Sequence, residues 1–228
     1  MVNKGISAVF LQVRLDSTRL PRKALANLGG KSVLEHCLSA LSRVGTPLQI
    51  VVTEPASFNE VCPLAEAAGW KVFSGSKDNV LDRFVQAARK YKCQTIIRAT
   101  ADNPLVSAFL ANTLLEEHLR ADMDYSGYLE GPEGSGVEIL RVGALEAAWG
   151  STPDAYECEH VSPYLYRRPG TFRIHRPVIP DQFRYPQGRI TVDTADDLIY
   201  LNRMWKALDP QTPPQLEEVI NWLKENPR

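Results

Sequence analysis

Several common signatures are missing from this 228-residue chain, and each absence excludes a class. Cys37, Cys62, Cys93 and Cys158 form no CxxC pair, which rules out a small disulfide framework or a cysteine-cluster metal site and predicts reduced thiols. There is no Walker A loop, no GxGxxG after the first apolar run, no GxSxG elbow and no HExxH, so the usual ATPase, dehydrogenase, hydrolase and zinc-protease readings fall away. The first apolar run, "ISAVFLQV", is too short to span a membrane and lacks a small-residue cleavage pattern after it. The expectation is a cytoplasmic protein with no membrane partner. The formal charge of −1 leaves no general nucleic-acid surface, so any basic cluster must be local.

What is present is an alternation. "ISAVFLQV", "LQIVVT", "WKVF" and "TIIRAT" are short β-rich runs separated by helical segments, which predicts an α/β domain with a mostly parallel central sheet and helices on both faces. A capping box, Ser32 with Glu35, opens a helix that carries Leu34, Leu38 and Leu41 and stops near Gly45. A second helix is expected over roughly 63–68, starting at Pro63. A third, "NVLDRFVQAARKY", places Leu81, Phe84, Val85 and Ala88 on one face, and a fourth starts at Ser107 and runs to about Leu119. Between about 120 and 190 the regularity fails: "EGPEGSG" reads as a loop and "VEIL" and "TFRIH" as strands around two helical stretches, which suggests a small inserted subdomain within a single domain. "RITVDTADDL" then reads as a short strand entering a helix capped by Thr194 and Asp197, and a last helix follows "TPPQ".

Ligands of a parallel sheet bind beyond the carboxyl ends of its strands. Three segments fall there: 14–23, 98–104 and 191–197. In "RLDSTRLPRK" the cations Arg14, Arg19, Arg22 and Lys23 follow the first strand and suit a polyphosphate, although a charge run is more often a solvated loop. Asp102 and Asp193 lie at two other strand ends, where a pair of carboxylates beside a basic loop favours a metal–nucleotide site; singly, either could be a turn or helix-start acid. His36, His118, His160 and His175 show no ligand spacing, and His36 and His118, like Trp149, Trp205 and Trp222, fall at helical positions that suit packing.

At this point the motifs resemble a family. "LQVRLDSTRLPRKAL" is similar to the nucleotide-binding signature of the CMP-sugar synthetases, in particular the SpsF-type cytidylyltransferases. "GGKSVLEHCL", "SGSKDNVLDRF", "IIRATADNPLV", "ECEHVSPYLY" and "RITVDTADDL" follow in the family's order over nearly the whole chain. The resemblance implies a Rossmann-like (GT-A-like) nucleotidyltransferase fold and transfer of CMP from CTP to a sugar, usually an acidic one, with Mg²⁺ and release of pyrophosphate.

Carried over by position, Arg14, Ser17, Arg19 and Lys23 would hold the triphosphate, with Arg14 and Lys23 catalytic. Asp102 and Asp193 would hold Mg²⁺; Ser74, Gly75, Asp82, Arg83 and Thr100 would border the nucleotide; Glu138, Glu157, His160 and Tyr164 would face the acceptor. Family members are commonly homodimers, and the 120–190 region would serve acceptor and dimer contacts. This chain has Asp16, Arg22 and Ala101 where the family usually has glycine, Cys158 where it has arginine, and Thr191 where sialic acid synthetases carry an acid. Two other classes stay open: an inactive nucleotide- or partner-binding relative, and a glycosyltransferase using "DMD" at 122–124 as its metal motif.

Overall fold

The computed structural model describes residues 5–151, 154–209 and 213–228. Residues 1–4 and Thr212 of the "TPPQ" signal lie outside them. In chain order the elements are β1 (Ile6–Gln12), β2 (Asn27–Leu28), β3 (Lys31–Ser32), α1 (Val33–Leu41), β4 (Leu48–Thr53), α2 (Pro55–Ala67), β5 (Lys71–Ser74), α3 (Val80–Tyr91), β6 (Cys93–Thr100), α4 (Ala108–Arg120), β7 (Tyr125–Gly127), β8 (Glu138–Arg141), α5 (Val142–Gly150), α6 (Ala155–His160), α7 (Pro163–Tyr166), β9 (Ile174–His175), α8 (Ala195–Leu208) and α9 (Leu216–Glu225).

Seven strands form one sheet in the order β5-β4-β1-β6-β8-β7-β9. β1 lies between β4 and β6 and pairs in parallel with both, while β8 runs antiparallel to β6 and β7. Because β1 is covered on both sides, its central residues 8–11 are apolar without interruption: Ala8 and Phe10 face α3 and α5, whereas Val9 and Leu11 face α1, α2, α4 and α8. The irregular 120–190 region supplies β7, β8 and β9 to this same sheet.

The caps expected at Ser32 and Thr194 form, and Asn79 and Ser107, expected only as helix starts, act as caps too. Ser32 and Glu35 form the capping box of α1, Asn79 caps α3, Ser107 caps α4, and Thr194 with Asp197 caps α8. α1 ends earlier than expected, at Leu41. The second helix differs more: α2 begins at Pro55, not Pro63, because the Glu54 carboxylate takes the N-cap position and accepts from the Ala56 and Ser57 amides. Pro63 therefore sits inside the helix, where it leaves the Asn59 carbonyl without an amide partner from that position. "RITV" is extended but forms no strand of the sheet: Arg189 makes a single bridge to Glu133, and the Ile190 and Val192 amides donate to the carbonyls of Glu133 and Asp102 in neighbouring loops.

No disulfide joins the four cysteines. Trp205 and Trp222 are buried, as are His36 and His118, but Trp149 is at the surface beneath Arg89. The Gly29–Gly30 turn joins β2 to β3 with positive φ at both residues, and a Cβ on Gly29 would lie 2.2 Å from the Trp205 ring. Among the described residues no helix is long and apolar enough to cross a membrane.

Candidate functional site

The loop after β1 is shaped by the groups around it. Ser57, in the first turn of α2, accepts from the Leu15 amide at 3.0 Å, and the Arg22 amide returns to the Leu15 carbonyl at 2.9 Å, which closes residues 15–22 into a compact arch. Ser17 accepts from the Leu20 amide at the crown of the arch. Arg22 stands at φ 60, ψ 24, the left-handed region, and its guanidinium is paired with Glu60. The chain then enters a 3-10 turn over Lys23–Leu25 that turns Lys23 inward. Of the three positions where the family usually carries glycine, only Arg22 takes a positive φ; Asp16 and Ala101 do not. The carboxylate of Asp16 faces Arg14 at 3.9 Å and Lys77 at 3.6 Å, so its charge is offset.

Lys23 converges with two carboxylates from distant parts of the chain. Its Nζ donates to Asp102 Oδ2 at 2.7 Å and to Asp193 Oδ1 at 2.8 Å. Asp102 follows β6, where the Thr100 hydroxyl donates to its Oδ1 at 2.6 Å. Asp193 precedes α8, and the Asp197 carboxylate of the capping box accepts from both the Asp193 and Thr194 amides. Arg189 spans the pair, with Nη2 on Asp193 Oδ2 at 2.5 Å and further contacts to Asp197 and Glu133. Arg19 adds a third cation, 2.8 Å from Asp193 Oδ1. Burial alone would raise the Asp193 carboxyl, but the hydrogen bond and charge of Lys23, with Arg189 and Arg19, hold it below the usual carboxylate range.

Lys23, Asp102, Asp193 and Arg19 line one cleft of about 230 Å³ at the carboxyl ends of β1 and β6, together with Arg14, Ser17, Thr18, Thr100 and Arg98. Glu159 and His160 close its far side, and Glu159 pairs with Arg14 at 3.1 Å. A γ-turn at Val161 (φ 68, ψ −58), with the Ser162 amide on the His160 carbonyl at 2.8 Å, lies between His160 at the cleft and Ser162 against Glu138. This β-branched, fully buried residue at positive φ is a genuine backbone outlier.

A second cleft of about 250 Å³ shares Arg14 and Glu159 with the first and is lined also by Asp16, Glu54, Lys77 and Arg83. Arg83 is 2% exposed, donates to the Ser76 and Lys77 carbonyls, and keeps a buried Nη1 with no hydrogen-bond partner. Burial pushes its guanidinium below the usual arginine value. Gly75 lets the chain pass this side chain: a Cβ there would lie 2.9 Å from Arg83 Cγ.

The structure thus gathers Arg14, Ser17, Arg19, Lys23, Thr100, Asp102, His160 and Asp193 in one cleft, with Arg83 and Gly75 beside the second. Other expected residues stand elsewhere. Ser74 and Asp82 line neither cleft, and Asp82 accepts from Gln86 along α3. Glu157 is buried against Arg168, and Tyr164 lies beneath that same guanidinium at 3.7 Å. Glu138 accepts from Arg98, Tyr125 and Ser162 one layer behind the cleft. Cys158 lines neither cleft, and Thr191 donates to the Asp102 carbonyl. Asp122 and Asp124 of "DMD" are held by Arg141 and Arg173; neither lines either of these two clefts, and Asp122 borders instead a separate cleft of about 940 Å³. Sequence reading missed Gln12, Arg98, Glu159 and Arg189. The first two could have been found as inward residues at the ends of β1 and β6; the others depend on tertiary folding.

The implied Mg²⁺ can be tested against the donors. Asp102 Oδ1 is taken by Thr100 and Asp193 Oδ2 by Arg189, so each carboxylate turns one oxygen toward the same point. Among the described residues no cluster of three or more His, Cys, Asp or Glu forms a complete cage. Two carboxylate oxygens completed by phosphate and water are the donor set Mg²⁺ takes with nucleotides, so the residues fit.

A family model described as cytidylyltransferase matches residues 8–221. The chain is 32% identical over 236 residues to the spore coat polysaccharide biosynthesis protein SpsF of Bacillus subtilis, covering 96% of this chain and 94% of that one. Among solved structures, a cytidylyltransferase from Leptospira borgpetersenii superimposes with a TM-score of 0.90 at 23% identity, over 98% of this chain and 95% of that one. A CMP:2-keto-3-deoxy-manno-octonic acid synthetase complexed with CTP superimposes with a TM-score of 0.69 at 16% identity, over 90% and 100%. These structural likenesses bear on the fold.

Proposed function

Because the chain belongs to the cytidylyltransferase family, we propose that it transfers CMP from CTP to a hydroxyl of a sugar, releasing pyrophosphate, as a step toward a surface polysaccharide. The observation that carries this reading is the convergence of Lys23, from the loop after β1, with Asp102 and Asp193 in one cleft. The acceptor we infer is acidic. Arg14, Arg19, Lys23 and Arg98 in the cleft face three carboxylates, Asp102, Glu159 and Asp193, and one structural neighbour is the CMP:2-keto-3-deoxy-manno-octonic acid synthetase.

The reaction is an in-line attack of the acceptor oxygen on the α-phosphorus, which asks the protein for positioning and charge neutralisation and for no nucleophile of its own. Arg14, Ser17 and Arg19 line the triphosphate arm, and Lys23 stabilises the charge that grows on the departing pyrophosphate. The second cleft, with the unpartnered Arg83 Nη1, seats the nucleoside end. His160, positioned by the γ-turn at Val161, faces the acceptor. Mg²⁺, held by Asp102 and Asp193, would supply charge neutralisation at the phosphate oxygens when bound.

The test is pyrophosphate release from CTP with Mg²⁺ across a panel of acidic and neutral sugars. Turnover with an acidic sugar supports the full reading, and turnover only with a neutral sugar corrects the acceptor class. Absence of turnover with every acceptor, while CTP still raises the melting temperature, replaces the enzyme by a nucleotide-binding relative.

A further inference from the structure

We propose that Lys23 acts as a resident cation that closes the Asp102–Asp193 pair to a metal ion until a polyphosphate draws its ammonium away, so that metal enters with the nucleotide and not before it. This deepens, and rests on, the reading of the cleft as a metal–nucleotide site.

The argument begins with which carboxylate oxygens are committed. Thr100 holds Asp102 Oδ1, and Arg189 holds Asp193 Oδ2 while being tied itself to Glu133 and Asp197. The two remaining oxygens, Asp102 Oδ2 and Asp193 Oδ1, share Lys23 Nζ, and Asp193 Oδ1 accepts from the exposed Arg19 guanidinium as well. A divalent ion on this pair would need those same two oxygens at roughly 2.0–2.1 Å. An ammonium at 2.7 and 2.8 Å from them and a second cation cannot share the space. Lys23 has little water to retreat into, since its side chain is 13% exposed. An ion arriving alone must displace a cation held by two carboxylates and leave it beside a double positive charge.

A triphosphate changes that balance by offering the ammonium a new anionic partner within the same cleft. The geometry allows the exchange. The Lys23 backbone is fixed by its amide on the Leu20 carbonyl and by the Leu25 amide on the Arg22 carbonyl, while four flexible methylenes carry the charge. Arg14, Ser17 and Arg19 line the arm of the cleft toward which it would swing. Arg19, 64% exposed and also on Asp193 Oδ1, can leave with it, whereas Arg189 stays and keeps Asp193 oriented. Metal and nucleotide then bind with positive coupling, and by linkage each tightens the other by the same factor.

Binding of Mn²⁺ alone, followed by its electron paramagnetic resonance signal in nucleotide-free protein, tests this without any turnover. The wild-type protein is expected to take up Mn²⁺ alone at least about tenfold more weakly than Lys23→Met or Lys23→Gln, a coupling of ordinary allosteric size. Adding Asp102→Asn to Lys23→Met removes the gain. Stoichiometric uptake of Mn²⁺ by the nucleotide-free wild type overturns the proposal whether or not the variants fold, and so does a folded Lys23→Met protein that binds no better than wild type. CTP binding measured separately by thermal shift, with Mg²⁺ and in EDTA, judges the nucleotide reading: its failure in both removes that reading, whereas failure of the Mn²⁺ comparison with CTP binding intact removes only the role given to Lys23.

Discussion

Arg98 on β6 and Glu138 on β8 stand opposite each other in the antiparallel register, and their side chains pair at 2.5 Å just behind the cleft. The pair is mostly shielded, with Gln12 on the other arm of the guanidinium and the Tyr125 and Ser162 hydroxyls on the carboxylate. Glu138→Gln leaves the arginine without its counter-charge and is expected to cost roughly 3 kcal/mol, as breaking a shielded pair does. Arg98→Met combined with Glu138→Leu should recover part of that loss, because two apolar groups need no partner. Urea denaturation of Arg98→Met, Glu138→Leu and the double variant measures the coupling; additive losses contradict it.

Asp102→Asn and Asp193→Asn each remove one of the two oxygens aimed at Lys23. With CTP, Mg²⁺ and a productive acceptor, each is expected to lower kcat by about a hundredfold or more, corresponding to several kcal/mol of transition-state stabilisation. Each also takes a counter-charge from Lys23, whose side chain is 13% exposed, so some loss of stability in urea is expected and turnover is compared on protein confirmed to be folded. Near-normal turnover in either variant would show that its carboxylate is not the ligand.

Arg22 carries a side chain where the backbone has a left-handed conformation, and its guanidinium is engaged by Glu60. Arg22→Gly and Arg22→Ala both delete the pair, but only glycine accepts φ 60 without steric cost. The glycine variant should therefore melt above the alanine variant by about 2–4 °C, which scanning calorimetry resolves. Equal melting temperatures would mean that the arch relaxes out of the left-handed region.

His118 supplies a pH signature that does not involve the cleft. It is buried on α4 with Nδ1 2.8 Å from the Ser126 hydroxyl, and burial, reinforced by Arg141, pushes it down to about 4 from the usual 6.5. The unfolded chain takes up this proton first as pH falls, so the contribution of neutral His118 is complete above pH 6.5 and declines toward pH 4. Between pH 7.5 and 5.0 the wild type should lose roughly 2 kcal/mol more stability than His118→Gln. Parallel urea titrations of the two proteins give the difference directly, and identical pH slopes would contradict it.

The parts of the fold that were readable from sequence are those set by local chemistry. Ser32, Asn79, Ser107 and Thr194 cap their helices through their own side chains, and the apolar spacing of Leu34, Leu38 and Leu41 is enough to orient α1. Arg14, Lys23 and Asp102 were legible because strand ends of a parallel sheet point the same way, whereas Asp193 follows no strand of the sheet and is brought to the cleft at the start of α8. The start of α2 was not, since a glutamate took the cap and Pro63 was tolerated within the helix. Nor was the unpaired course of "RITV", whose amides find loop carbonyls far away in sequence. Glu157 and Tyr164 were assigned to the acceptor by position, but Arg168 engages both, a contact that no spacing encodes.

The three residues that meet at the cleft floor come from the first, middle and last thirds of the chain, and β1 must pair with β6 across an intervening strand-and-helix set before any of them are neighbours. Such long-range pairing makes for slow folding, because much chain must be ordered before the contacts are made. During synthesis the loop after β1 emerges with its cations unopposed by Asp193, which follows Lys23 by 170 residues. Competence to bind is therefore acquired only once that segment has been made, and a product cut short before Asp193 would keep the central β4-β1-β6 strands but lack one wall of the cleft.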